Sequence, residues 1–255
     1  MKRIVIAPDT HCPIQDRLLT RSLINFIGDY QPDEVVHIGD LMDYPQPSRW
    51  AKDTREEFEG SVFVDSDSAK EDYLEPLRAV YAGPVGVHVG NHDRRPSDYL
   101  KKYAPALDSS KAFELETLLD FEKYEITRLP EFYDIAPGWI STHGDRGGIR
   151  LNQVAGLTAL NAARRFGKSV VMGHVHRLGC VSYTQGYGGD VETTITGMEV
   201  GHMVNVTLAG YLKGMTPNWQ TGFGILYVDD KHVKAEAIPI TGKKFVVEGT
   251  TYNVR

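Results

Sequence analysis

Five short polar clusters recur along the chain, and each follows a run of aliphatic or β-branched residues. Asp9-Thr-His11 comes after Ile4-Val-Ile6, Gly39-Asp40-Leu-Met-Asp43 after Val35-Val-His-Ile38, and Gly90-Asn91-His92-Asp93 after Val85-Gly-Val-His-Val89. His143-Gly-Asp145 follows Trp139-Ile-Ser-Thr142, and Gly173-His174-Val-His176 follows Ser169-Val-Val-Met172. Carboxylate, carboxamide and imidazole without thiolate suit manganese, iron, zinc or nickel, and the donor set does not choose among them. Taken singly, each cluster has an ordinary explanation, because Gly-Asp is turn chemistry and a lone histidine is commonly a satisfied polar group. As an ordered set they are not explained by packing, since buried carboxylates and imidazoles are costly unless paired or coordinated.

The apolar runs are the elements that must position these clusters. Ile4–Ile6 reads as a strand, Leu19, Leu23, Ile24, Phe26 and Ile27 recur at helical spacing, and Val35–Ile38 reads as the next strand, giving a βαβ unit with a right-handed crossover. Ser68-Ala-Lys-Glu71 has the form of a capping box opening a helix that reaches Tyr81, with a kink expected at Pro76. Val85–Val89 is a third strand, residues 96–124 read as helices and connections, Trp139–Thr142 as a strand, Leu151–Phe166 as a helix and Ser169–Met172 as a strand. Beyond Gly179 the texture turns to threonine, valine, tyrosine and glycine, as in Val191–Thr196 and Phe223–Val228, which predicts antiparallel hairpins. Gly186-Tyr-Gly188-Gly189 lacks the spacing of a phosphate-binding loop and reads as a turn. Ligands of an open α/β sheet bind at the carboxyl ends of its strands, so the five clusters are expected to converge on one crevice.

With 255 residues, 41% hydrophobic and 24% charged, the chain is ordinary for a globular protein and large enough for a sizeable core. Nothing approaches the run of about 18 apolar residues that a membrane span needs, and no leader is evident, so a cytoplasmic protein without membrane association is expected. The two cysteines, Cys12 and Cys180, form no CxxC pair and no disulfide framework. The net charge of −6 argues against wrapping nucleic acid by bulk electrostatics. That acidity is concentrated between Asp53 and Glu75, and an acidic insertion is expected around residues 44–75. Arg94-Arg95, Lys101-Lys102, Arg146, Arg150, Arg164-Arg165 and Lys168 could supply a positive mouth elsewhere.

In order and spacing, the five clusters resemble the signature of the calcineurin-like metallophosphoesterases. Pro217-Asn-Trp219-Gln-Thr-Gly222-Phe resembles the phage and prophage branch of that superfamily. The resemblance implies an α/β fold, a four-layer αββα sandwich, over a single domain spanning residues 1–255 with a β-rich part at 179–255. It implies two divalent transition metals, with manganese favoured by family habit and iron, zinc or nickel as alternatives. One metal would take Asp9, His11 and His176, the other Asn91, His143 and His174, and Asp40 would bridge them. Two dications against two carboxylates leave about +2 to attract a phosphate and acidify a bridging water, the hydroxide nucleophile of the implied reaction. Asn91 would also hold a phosphoryl oxygen, and His92 would be the general acid for the leaving group. Asp43, Asp93 and Asp145 are candidates to orient the ligand imidazoles, with turn or cap duty as the alternative.

The expected function is therefore hydrolysis of a phosphomonoester or phosphodiester, with a nucleotide or nucleic acid among the candidate substrates. A phosphoprotein phosphatase is disfavoured, since Tyr44 stands after Asp43 where that group has Arg-Gly, and Asp93 where it has Glu. A DNA nuclease resembling the repair-complex exonucleases is the alternative, because Arg94 and Arg95 could grip a flanking phosphate. A metal-free scaffold of the same fold is opposed by the coordinating side chains at all seven ligand positions.

Overall fold

The structure, a computed structural model, describes residues 1–254. In chain order its elements are β1 (Lys2–Ala7), α1 (Arg17–Tyr30), β2 (Glu34–His37), α2 (Arg55–Phe58), α3 (Val62–Ala69), a π-helical turn (Lys70–Leu74), α4 (Glu75–Val80), β3 (Val85–Val87) and α5 (Arg95–Tyr103). There follow α6 (Leu115–Leu118), β4 (Ile126–Arg128), β5 (Tyr133–Ala136), β6 (Trp139–Thr142), α7 (Leu157–Phe166), β7 (Ser169–Met172), β8 (Leu178–Tyr187) and β9 (Asp190–Val200). The hairpins β10 (Gly222–Asp229) with β11 (His232–Pro239), and β12 (Lys244–Val247) with β13 (Thr250–Asn253), complete the described chain.

Alternation along the strands builds the layers. On β1, Ile4 and Ile6 face one side and join Val36, Val171, Met198 and Leu226 in an apolar layer between two sheets. Val5 and Ala7 face the other side and pack with Leu23, Phe26 and Ile27 of α1 and Leu77 of α4. On β7 the same period sends Val171 inward and Val170 and Met172 outward onto Ala159, Ala162 and Ala163 of α7. A strand buried on both faces therefore needs a helix outside and a sheet inside, and the result is the expected four-layer αββα sandwich. One sheet has the order β11-β10-β1-β2-β3-β4 and the other β5-β6-β7-β9-β8. β1 to β4 run parallel, as do β6, β7 and β9, so their carboxyl ends gather at one edge of the sandwich.

Two helix boundaries differ from the sequence expectation. The helix ending at Val80 begins not at Ser68 but at Ser61, whose side chain accepts from the Phe63 N–H. Ser68 sits within it and donates to Asp72. The kink expected at Pro76 is taken up by the π turn just before it, where backbone pairing is already displaced and the missing proline N–H is tolerated. The helix expected from Leu151 starts at Leu157, because Gly156 adopts φ +82° and ends any helical run upstream. Within residues 44–75, the structure places α2, α3 and the π turn, whose Ala69, Tyr73 and Leu74 join the core beside α1. Gly188 and Gly189 form the turn of the β8–β9 hairpin, and both cysteines are free. Among the described residues no helix is long and apolar enough to cross a membrane.

Two buried histidines outside the clusters, His37 at the end of β2 and His88 just beyond β3, pack beside the centre. His37 Nδ1 accepts from the Gly39 N–H, while its Nε2 donates to a Thr10 hydroxyl whose own proton goes to the Leu41 carbonyl. That network is complete only for a neutral ring. His88, bonded to the Ser141 hydroxyl at 2.8 Å, is likewise buried, and burial followed by the field of His143 pushes both imidazoles down to about 3. The unfolded chain binds these protons below about pH 6.5, so the stability they contribute is present above that pH and is lost as pH falls toward 3. In chelated protein, the stability difference between wild type and His88→Gln is expected to shrink by up to ~1.4 kcal/mol per pH unit below pH 6.5. Urea midpoints at pH 7, 6, 5 and 4 measure it, and a difference independent of pH contradicts the neutral buried assignment.

Candidate metal centre

Each chemical cluster lies just beyond a strand. Asp9 and His11 follow β1, Asp40 follows β2, Asn91 and His92 follow β3, His143 follows β6, and His174 and His176 follow β7. His11 (φ 53°), Asp40 (φ 48°), His174 (φ 67°) and His176 (φ 56°) are all left-handed. Each costs on the order of 1–3 kcal/mol, and such strain persists only where the surroundings dictate it, as at ligand-holding sites. Two motif glycines are needed for close approach. A Cβ on Gly90 would lie 2.1 Å from Asp40 Oδ1, and one on Gly173 would lie 2.2 Å from Asp9 Oδ1. The structure thus presses backbone directly against both carboxylates.

The side chains form two groups that meet at Asp40. In the first, His176 Nε2 lies 3.2 Å from Asp9 Oδ2 and 3.1 Å from His11 Nε2. In the second, His143 Nε2 lies 3.2 Å from Asp40 Oδ2 and 3.3 Å from Asn91 Oδ1, and the rings of His143 and His174 meet edge to face at 5.1 Å. Asp40 Oδ2 is also 3.6 Å from His11 Nε2, so one carboxylate oxygen faces both groups. Its other oxygen accepts from the His92 backbone N–H at 2.8 Å. All seven sequence-predicted ligand residues are therefore brought together.

Protonation can be read from the outer partners. His143 Nδ1 is 3.1 Å from the Ile38 carbonyl and so carries a proton, while His11 Nδ1 lies 3.0 Å from Asp43 Oδ1 and does the same. His11 Nε2 consequently offers a lone pair to the centre, whereas His143 Nε2, 3.2 Å from Asp40 Oδ2 and 3.3 Å from Asn91 Oδ1, holds a proton that a metal would have to replace. Lone pairs gathered at this range need positive charge among them, either the His143 proton or a metal cation in its place. Two metal–nitrogen bonds of about 2.1 Å place nitrogens roughly 3.0–3.4 Å apart, which is the spacing of the His11 and His176 pair. Asp9 Oδ1, buried and without a hydrogen-bond partner, is a further donor waiting for a positive group. The donor set fits divalent transition metals.

The electrostatics agree. Burial opposes charge on His143, yet Asp40 and then Asp9 outweigh it and lift the imidazole to about 10. Asp40 is pushed up by burial but held well below the carboxylate range by His143 and His92, whereas Asp9 is raised by burial to about 6. Burial pushes His11, His174 and His176 down, leaving these imidazoles neutral and able to offer lone pairs. A cation loading this centre displaces the His143 proton, so loading weakens as pH falls.

The remaining candidates divide. Asp43 Oδ1 accepts from both His11 Nδ1 and, at 2.8 Å, His92 Nδ1, so one carboxylate fixes the orientation of two rings. Asp93 instead accepts from the Met42 and Gly90 N–H groups, which is turn duty, and burial raises it to about 7. Asp145 pairs with Arg94, whose guanidinium also donates to the Val89 carbonyl. Arg95 donates to the Asp43 carbonyl at 2.7 Å and to His92 Nε2 at 3.1 Å. Arg94 thus serves an internal ion pair, while Arg95 stands in front of the centre. Sequence reasoning passed over His202 and read Trp219 only within the branch motif, not as a neighbour of the site. The Trp219 ring lies 4.1 Å from that of His176, and His202 stacks on His176 at 5.5 Å. Gly201-His202 ends β9 as Gly173-His174 ends β7, a signal that was available.

Comparison with known proteins places these features. The family model described as calcineurin-like phosphoesterase matches residues 2–186. The Gene 54 protein of Mycobacterium phage D29 is 57% identical over 254 residues, covering 99% of each chain. The Gene 54 protein of Mycobacterium phage L5 is 56% identical over the same length and coverage. Among solved structures, wild-type Vps29 complexed with zinc from Entamoeba histolytica is similar at a TM-score of 0.45 and 13% identity, covering 98% of this chain and 95% of that one. A dimetal phosphatase from Danio rerio gives a TM-score of 0.42 and 12% identity over 100% of this chain and 99% of that one.

Proposed function

Because the chain belongs to the calcineurin-like phosphoesterase family, we propose that it hydrolyses phosphate esters, mono- or diesters, at a binuclear metal centre shared across Asp40. The observation that carries this reading is the single Asp40 oxygen facing the Nε2 atoms of both His143 and His11. Asp9, His11 and His176 would hold one cation, and Asn91, His143 and His174 the other. Divalent cations supply Lewis acidity toward a phosphoryl oxygen and acidify water to near neutral pH. The chain's own residues do the rest. Asn91 and His92 also line an open groove and are the side chains an approaching ester meets. Asp43 locks the His92 ring through Nδ1 and leaves Nε2 facing Arg95 and the groove.

The test is hydrolysis of bis-(p-nitrophenyl) phosphate and p-nitrophenyl phosphate by protein stripped with chelator and then given manganese, iron, zinc or nickel one at a time. Turnover is expected only after a metal is returned, with manganese the most effective. Full turnover in the stripped protein, or none with any metal on either ester, overturns the reading.

A further inference from the structure

We propose that the groove beside Asn91 and His92 binds the nucleotides of a single-stranded nucleic acid, which makes such a strand the substrate class of the centre. This deepens the phosphoesterase reading and rests on it for the reaction, although not for the binding. The groove has a volume of about 510 Å³, room for one nucleotide unit, and it opens directly onto the metal-proximal Asn91 and His92. One wall is the segment around Arg49, Trp50 and Lys52, and the other is the face of α5 that carries Tyr99, Lys102 and Tyr103. Glu57 ties the two walls together, accepting from Lys52 Nζ at 2.8 Å and from the Tyr99 hydroxyl at 2.6 Å.

The chemistry of the walls points to one kind of ligand. Trp50 is 71% and Tyr103 47% exposed, and both rings stand on the groove walls where a base could stack on them. Arg49 lies 4.6 Å over the Trp50 ring, and Lys102 lies 5.0 Å over that of Tyr103. Both of these groove rings are therefore paired with a cation in a chain that is acidic overall. Alternating rings and cations along a groove are how sequence-tolerant single-strand binders hold bases and track phosphates. A lone phosphomonoester uses neither the rings nor the outlying cations. A duplex keeps its bases stacked inside and would also meet the acidic residues from Asp53 to Glu59 beside the groove.

The experiment is fluorescence anisotropy of a labelled twelve-residue oligothymidylate with protein in chelator, where no turnover occurs, at 50 and 200 mM salt. Wild type is expected to bind and to weaken with salt. Trp50→Ala and Tyr103→Ala are each expected to weaken binding about 5- to 150-fold, the range for loss of one stacked base. Arg49→Ala and Lys102→Ala are each expected to reduce the salt slope by about 0.7. Tyr187→Ala, on the β8–β9 hairpin, is expected to bind as wild type does, and thermal midpoints show that every variant is folded. No binding by wild type, unchanged binding in both aromatic variants, or equal affinity for thymidine monophosphate or a duplex overturns the proposal. Oligonucleotide binding without metal-dependent ester hydrolysis would sink the phosphoesterase reading alone. Hydrolysis of a small diester without oligonucleotide binding would sink this one alone.

Discussion

Asp40→Ala is expected to abolish hydrolysis of bis-(p-nitrophenyl) phosphate, lowering it by more than about 10³-fold, and to reduce the metal retained per chain. The size follows from position. An outer partner of a metal site is typically worth ~10–100-fold, and among the described residues Asp40 is the carboxylate with one oxygen facing both histidine groups. It also anchors the His92 backbone through its second oxygen, so one substitution removes an anion from both halves and loosens the loop that carries Asn91. Metal analysis must accompany the assay. Retention of the full metal complement with full turnover would show that Asp40 is not shared.

His92→Asn carries the second largest effect, and it separates two roles that the geometry sets in tension. General acid catalysis is typically worth ~10²–10⁴-fold and matters most for a poor leaving group, because a sugar alkoxide needs a proton and a nitrophenolate hardly does. In this structure, however, Nδ1 donates to Asp43 and Nε2 accepts from Arg95. A ring in that state offers no proton on the groove side until Arg95 moves onto the substrate and Nε2 takes up a proton from solvent. The variant is expected to keep its metals, to lose most activity toward an alkyl ester such as a dinucleotide, and to lose distinctly less toward the nitrophenyl ester. Equal losses on both would make His92 a phosphate-positioning residue held by Asp43.

What the sequence disclosed and what it hid follow one physical division. Ile4-Val5-Ile6 and Val170-Val171-Met172 were legible as strands because the apolar run is local, and the fold covers both of their faces. The ligand clusters were legible because carboxylates and imidazoles at the ends of apolar runs have few other reasons to be there. The start of the helix at Ser61 was obscured by Val62-Phe-Val64, whose β-branched residues weaken the helical signal, while Ser68-Ala-Lys-Glu71 imitates a cap further along. Arg94 and Arg95 are adjacent and chemically alike, yet one turns to Asp145 and the other to His92 and Asp43. Only the tertiary fold brings Asp145 within reach, as it does His202 and Trp219 around His176. The groove likewise joins two segments, around Trp50 and Tyr103, that sequence distance separates.

Anomalous diffraction at the manganese edge from manganese-loaded crystals tests the binuclear centre most directly. The account predicts two peaks per chain, about 3.5–4 Å apart, on either side of Asp40. One lies among Asp9, His11 and His176, and the other among Asn91, His143 and His174. A single peak, or peaks away from Asp40, would contradict it.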